Sequence, residues 1–377
     1  MKEKKRILFK GFFFISILSF AFTLLPYKFY SNYTLEEIVK VVERYSNYKF
    51  KTKPIVKFLN EKEFENKIEK ILKRDYPSDK ILKECIFLNA FKLIDKDINL
   101  IELKRKIYFK NVAGFYDEGG KSNEIYIKGE KKKSFGKMEA MLLFHELWHI
   151  IQKNRVDFEK LLPDTIEYDD RRLAILSMLE GDAIRFMEKA SNIKLAIDNP
   201  DISIEEALSL SGDKFLLNAP RIVREELIFP YIYGTRFIKF FEKPEEKAQI
   251  YKNPPKSSYE IIFPSSYPYK RETLVSKQTG FFSGKVGIFF MNIIINKKIS
   301  NYSYLKGWED DNYTIYYNRN TKRYSLLWEI RFKKWGVRTF LNHLRKKFPE
   351  AKISLIENKI IKFQKEGYYG CNYCHSD

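Results

Sequence analysis

The chain has 377 residues, of which 44% are hydrophobic and 31% charged. That balance excludes a disordered polymer, and the length exceeds one small core, so two or three lobes are expected. The net charge of +20 suits an anionic surface such as lipid headgroups or wall polymers, although a Lys- and Ile-rich composition gives the same excess without any partner. No basic stripe with interleaved aromatics and no nucleic-acid motif is visible, so nucleic acid is not among the expected partners.

The first element in chain order is a leader. MKEKKR precedes ILFKGFFFISILSFAFTLL, and Gly11–Leu25 is apolar or small throughout. A basic flank before an apolar run is the pattern of a secretory signal. No clear small-x-small cleavage site comes before Pro26, so residues 1–31 read equally well as a signal peptide or an N-terminal membrane anchor. Ile7–Leu25 can just span a bilayer if Lys10 snorkels. The basic flank would stay inside, placing the rest of the chain outside the cytoplasm.

Residues 32–105 read as helical, with helical spacing of apolar positions in TLEEIVKVVERY and FENKIEKILKR. In this stretch Cys85 reads as a buried small hydrophobe. Residues 106–129 read as strands: KIYFKNVAGFYD, a turn at EGGKSN, then EIYIKG. The basic loop GEKKKSFGK leads into a strong helix at Met138–Lys153, and helical patterning continues to about residue 250. The Pro-rich NPPKSSYEIIFPSSYPY reads as an ordered loop and 281–296 as an apolar helix. YTIYYN and RYSLLWEIRF read as strands, 335–347 as a helix and 353–363 as a last strand.

Chemistry concentrates in HELWH. His145 and His149 are four apart, so on a helix both imidazoles leave the same face. One zinc ion at roughly 2.0–2.1 Å from each nitrogen fits between them. Glu146, about 100° further round, is poorly placed to bind the same ion but can reach a water beside it as a general base. The chain has only four histidines, so a chance HExxH is expected in under ~1% of such sequences. Two buried histidines satisfied by hydrogen bonds are the bland alternative.

Two histidines leave zinc short of a third protein ligand. Glu180 in LSMLEGDAIRFM is the best candidate. It lies on a second amphipathic helix whose apolar face is Ile175, Met178, Leu179, Ala183 and Phe186, and a carboxylate among such neighbours is costly unless paired or metal-bound. A solvated helix face is the alternative. Gly181 would allow close helix–helix approach at the site. Asp182 reads as a group that supports the metal ligands or as a structural one, and Glu188 as a weaker rival for the ligand position.

HELWH followed by LEGDA resembles the gluzincin metallopeptidases, in which two histidines and a downstream glutamate bind zinc. More narrowly, the chain resembles a group of exported bacterial proteins with an HExxH…EGDA arrangement. The likeness extends to AGFYD with EIYI, to Gln152, to IFPYIYGTRF, to PPKSSYEIIFPSSY and to GWEDD, covering roughly residues 112–340. The chain departs from that group at Phe263, where histidine is usual, and at Asp310, where glycine is usual.

The resemblance implies an α+β fold. It would have a zincin-like catalytic core with the HExxH helix and a helical lower lobe over residues 32–275. The chain's own strand and helix pattern adds a small C-terminal α+β lobe over 276–365, and GYYG marks a flexible tail over 366–377. The resemblance also implies that the strand holding Gly114–Asp117 borders a cleft where an extended peptide adds by main-chain hydrogen bonds. An oxyanion stabiliser is needed as well. Tyr231, Tyr233 and Arg236 are the candidates, with Tyr231 preferred, unless these side chains simply pack the core.

In the tail, Cys371, Cys374 and His375 spell C-x-x-C-H, the spacing that attaches c-type haem. A local disulfide is the simpler reading in an oxidising compartment, and an accidental cluster or stray metal site is the remaining one.

The expectation is therefore a zinc-dependent hydrolase of peptide or amide bonds in the cell envelope, with a peptide or protein substrate. The alternatives are a non-catalytic envelope binding protein with a structural or vestigial zinc site and, less favoured, a haem protein.

Overall fold

A computed structural model describes residues 13–15, 32–95, 97–117, 123–157, 161, 166, 168–195, 204–211, 213–269, 280–297, 302–333 and 336–370. The chain is mixed α+β. In chain order its elements begin with β1 (Phe13–Ile15), α1 (Leu35–Ser46), β2 (Ile55–Leu59), α2 (Glu61–Asp75), α3 (Ser78–Ala90), α4 (Leu100–Asn111), β3 (Gly114–Asp117) and β4 (Glu124–Lys128). The long helices α5 (Lys137–Arg155) and α6 (Asp170–Ser191) follow, then α7 (Ile204–Ser211), α8 (Lys214–Asn218), α9 (Arg221–Phe240), α10 (Pro244–Lys252) and α11 (Ser258–Ile262). The last third holds β5 (Phe282–Gly284), α12 (Gly287–Ile294), β6 (Trp308–Asn318), β7 (Arg323–Phe332), α13 (Val337–Lys347), β8 (Lys352–Ile356) and β9 (Ile360–Tyr368). Two compact units result: residues 1–77, 101–157 and 183–196 form the first, and 78–100, 158–182 and 197–377 the second.

The first unit is built on a four-stranded sheet of order β1-β3-β4-β2. β3 and β4 are antiparallel, while β2 runs parallel to β4 in the register Val56↔Ile125. Capping boxes start the flanking helices. Thr34 and Glu37 exchange side-chain-to-backbone bonds at α1, and Asn60 and Glu63 do so at α2, satisfying amides that the first turn leaves open. Behind the caps, Ile38 and Val42 of α1 and Phe64, Ile68, Ile71 and Leu72 of α2 are buried. α2 also pins the end of β3, since Asp117 accepts from Lys67 Nζ and Arg74 Nη1, each at 2.8 Å. α5 is buried without a break from Ala140 to Gln152.

Two expectations fail in this unit. KIYFKN, read as strand, is the end of helix α4. Its aromatic and β-branched residues suit either state; here Ile107 and Tyr108 are buried, and Asn111 Nδ2 closes the last turn on the Ile107 carbonyl at 3.0 Å. β2 lies in a stretch read as helical, because its strand state depends on parallel pairing with β4 some seventy residues away, which no local period displays. Of the expected leader or anchor, only Phe13–Ile15 are described, paired antiparallel with β3; the rest lies outside the described residues. Among the described residues no helix is long and apolar enough to cross a membrane.

The second unit contains an antiparallel sheet of order β5-β6-β7-β9-β8. α13 packs its apolar face on this sheet, with Phe340 against Phe332 at 5.6 Å between ring centroids, and beyond its end Phe348 meets Phe363 at 5.2 Å. Cys85, on α3, is buried with 1% exposure, as expected. The single strand expected at 353–363 is a hairpin, β8–β9, turning at Glu357 and Asn358, both with positive φ (50° and 53°). No glycine marks that turn. The expected helix over 281–296 begins as strand β5 and becomes helix only at Gly287. The Pro-rich loop contains the short helix α11 and a 3-10 turn at Pro264–Ser266. Phe263 caps α11 and packs on Tyr259 at 5.1 Å.

A buried polar cluster of this unit holds the N-terminus of α6. Asp169 accepts from the amides of Arg171 and Arg172 at 3.1 and 3.2 Å, capping the helix. Asp170 accepts from the Ser258 amide at 3.1 Å and from the Ser258 hydroxyl. Gly287 has φ +65°, and a Cβ there would lie 1.8 Å from the Asp170 carboxyl carbon, so both backbone and space require glycine. Asp311 accepts from the Val286 and Gly287 amides at 2.8 and 2.9 Å and from Trp328 Nε1 at 3.0 Å. Lys285 Nζ lies 2.6 and 2.7 Å from the two Asp310 oxygens. The KSSY and GWEDD segments thus converge on the start of the helix that carries Glu180.

Candidate metal centre

The HELWH residues occupy the middle of α5. His145, Glu146 and His149 are each 0% exposed, held in the core by Leu142, Leu143, Leu147 and Ile150. The two Nε2 atoms face each other at 2.9 Å. Nitrogens bound at roughly 2.0–2.1 Å to one tetrahedral ion lie about 3.3 Å apart, so the rings need to open by only a few tenths of an ångström to take an ion. His149 Nδ1 meets Gln152 Oε1 at 2.8 Å.

α6 passes from the second unit into the first, and its C-terminal half is fixed on α5 by stacking of Phe186 on Trp148, with centroids 4.0 Å and planes 11° apart. Arg155 covers the Trp148 ring at 5.4 Å. Glu180 lies less than one turn before this half. His145, His149 and Glu180 each offer a ligand atom, and those atoms lie within 4.8 Å of one another. All three residues are buried, Glu180 at 5% exposure. A buried set of two imidazoles and one carboxyl group is a donor set that zinc takes, and these residues can hold a metal ion.

Close packing fixes α6 beside Glu180. A Cβ on Gly181 would lie 2.1 Å from the Gly234 carbonyl carbon, and one on Gly234 would lie 1.9 Å from the Ser177 carbonyl oxygen. The expected close approach at Gly181 is therefore present, with Gly234 of α9 as its partner.

Glu146 is not part of the three-residue group. Its Oε2 accepts from the Tyr116 amide of β3 at 2.8 Å, which anchors the carboxylate between α5 and the strand. Asp182 accepts from Tyr251 OH at 2.7 Å and faces Lys247 Nζ at 3.4 Å, a structural role. Glu188 pairs with Arg185 at 2.7 Å and accepts from the Leu195 amide at 2.8 Å, outside the ligand group. Tyr231 is buried on α9, 8% exposed, with its carbonyl bonded by Thr235 Oγ1. It stands one turn before Gly234, and the three-residue group does not include it. Cys371, Cys374 and His375 lie outside the described residues.

In the sequence Gln152 stands out only through the resemblance, with no task attached to it. Its spacing three residues after His149, on the same helix face, was the available signal. The Tyr116 amide carried no signal, because a backbone donor has no residue identity.

No protein-family model, curated protein or solved structure matches the chain.

Proposed function

We propose that the chain is a zinc-dependent hydrolase of peptide or amide bonds, acting outside the cytoplasm from a leader that is a signal peptide or membrane anchor. The convergence of His145, His149 and Glu180 within 4.8 Å, with Glu146 next in sequence to a ligand, carries this reading. A zincin-like arrangement is part of the proposal: β3 is antiparallel to its neighbour β4 and is joined to the HExxH helix through Glu146.

His145 and His149 would hold zinc through Nε2, and Glu180 through a carboxylate oxygen. Zinc, when bound, polarises a carbonyl and acidifies water. Glu146 takes the proton of the attacking water and delivers it to the leaving amine. Its bond to the Tyr116 amide keeps the carboxylate aimed while it does so. β3 pairs along its edge with an extended segment, Phe13–Ile15, and a substrate peptide would add there in the same manner once the leader is elsewhere. Tyr231 is the proposed oxyanion stabiliser.

The test is Glu146→Gln in leaderless protein against a broad peptide library. Hydrolysis should fall by at least about a hundredfold while zinc content stays near one per chain. Undiminished hydrolysis in the variant would sink the proposal. The burial of all four residues favours a second reading, a structural zinc site in a binding protein. Zinc-loaded wild-type protein that cleaves nothing in the library would support that reading.

A further inference from the structure

We infer that Gln152 is a positioning residue for the metal centre: its amide oxygen fixes His149 in the Nδ1–H tautomer and adds no further charge to the site. The inference rests on the metal-site reading above. Both side chains are buried, at 0% for His149 and 1% for Gln152, and the Nδ1–Oε1 separation is 2.8 Å. An amide oxygen only accepts, so the proton of this bond sits on Nδ1. Nε2 of the same ring then carries its lone pair toward His145 Nε2, 2.9 Å away. The opposite tautomer would put a hydrogen on Nε2, where the ion must bind.

The choice of amide over carboxylate follows from the charge nearby. Glu146 and Glu180 already bring two carboxyl groups into buried surroundings, at 0% and 5% exposure. A carboxylate at position 152 would orient His149 equally well but add a third acidic group to them, costly without the metal. Gln152 orients the ligand in both the empty and loaded states.

Zinc affinity, measured by competition with a coloured chelator, tests this in wild type, Gln152→Met and Gln152→Glu, with circular dichroism and thermal unfolding as checks of fold. Gln152→Met should weaken zinc binding by about 10–100-fold, the usual cost of losing such a partner. Gln152→Glu restores an acceptor and should bind at least as tightly as wild type while unfolding more easily without metal. Ring-nitrogen NMR of metal-free wild type should show His149 with protonated Nδ1, a signature that a merely space-filling Gln152 would not set.

Equal affinity of folded Gln152→Met and wild type overturns the inference and leaves the metal centre standing. So does an unprotonated His149 Nδ1, which decides the matter even if Gln152→Met fails to fold. Wild-type protein that takes up no zinc overturns the metal reading itself.

Discussion

At Gly181 the chain has no room for a single methyl group. The methyl of Gly181→Ala would meet the Gly234 backbone at 2.1 Å, and backbone cannot swing aside as a side-chain tip does. The variant should lose about 1–3 kcal/mol of stability, the usual cost of overpacking, as read by urea unfolding. It should also bind zinc more weakly, because Glu180 is the adjacent residue. Trp148 is a second sensitive point. Its face stacks on Phe186 at 4.0 Å, and Trp148→Ala should cost about 3–5 kcal/mol in the same assay. The candidate ligands His145 and His149 were legible in the sequence because histidine is scarce here and i,i+4 spacing admits few meanings. Glu180 was legible because a carboxylate among apolar neighbours needs a reason to be there. Tyr231 was named by resemblance, and the structure places it on a core helix without assigning it chemistry.

Among the elements, β3 joins several duties in four residues. Its Tyr116 amide anchors Glu146, its edge pairs with Phe13–Ile15, and its last residue, Asp117, ties to α2 through Lys67 and Arg74. Asp117→Asn keeps the shape but takes the carboxylate from partly buried Lys67 and leaves Arg74 with Asp75 alone. It should destabilise the first unit by about 1–3 kcal/mol, seen as a lower urea midpoint with unchanged slope. An unchanged midpoint would show that the pair is only a surface ornament of the strand. β3, β4, α5, α6 and α13 were readable because each carries its own period, and β7 was read to the residue. β2 and the β8–β9 turn were not, because long-range pairing and positive-φ residues without glycine decided them, and KIYFKN was not, because its residues suit strand and helix alike.

For the molecule as a whole, the cluster around the start of α6 sets a pH dependence. Burial pushes the Asp311 carboxyl up to about 6 from 3.8, with Asp310 adding to the shift and Lys285 opposing it. The folded state therefore holds this proton more tightly than the unfolded state, and its contribution to stability falls as pH rises from about 4 to about 6. Asp311→Asn removes that slope. The stability of wild type relative to the variant should thus shrink across this window by an amount on the order of 2–3 kcal/mol. Urea unfolding of both proteins at steps of pH would show it, and a constant difference would contradict it. The α+β class was legible at this scale. The convergence of Asp169, Asp170, Ser258, Lys285 and Asp311 was not, since those residues span more than 140 positions and share no local pattern.

The central claim, that His145, His149 and Glu180 hold one zinc ion, is tested most directly by zinc stoichiometry and affinity in leaderless wild type against His149→Ala and Glu180→Ala. Wild type should carry one zinc per chain and gain several kcal/mol of thermal stability at saturating metal, about 4 kcal/mol when free zinc is a thousandfold above its dissociation constant. His149→Ala should lose the ion, and Glu180→Ala should bind it at least tenfold more weakly. Metal-free wild type, or variants that bind zinc as tightly as wild type, would contradict the account.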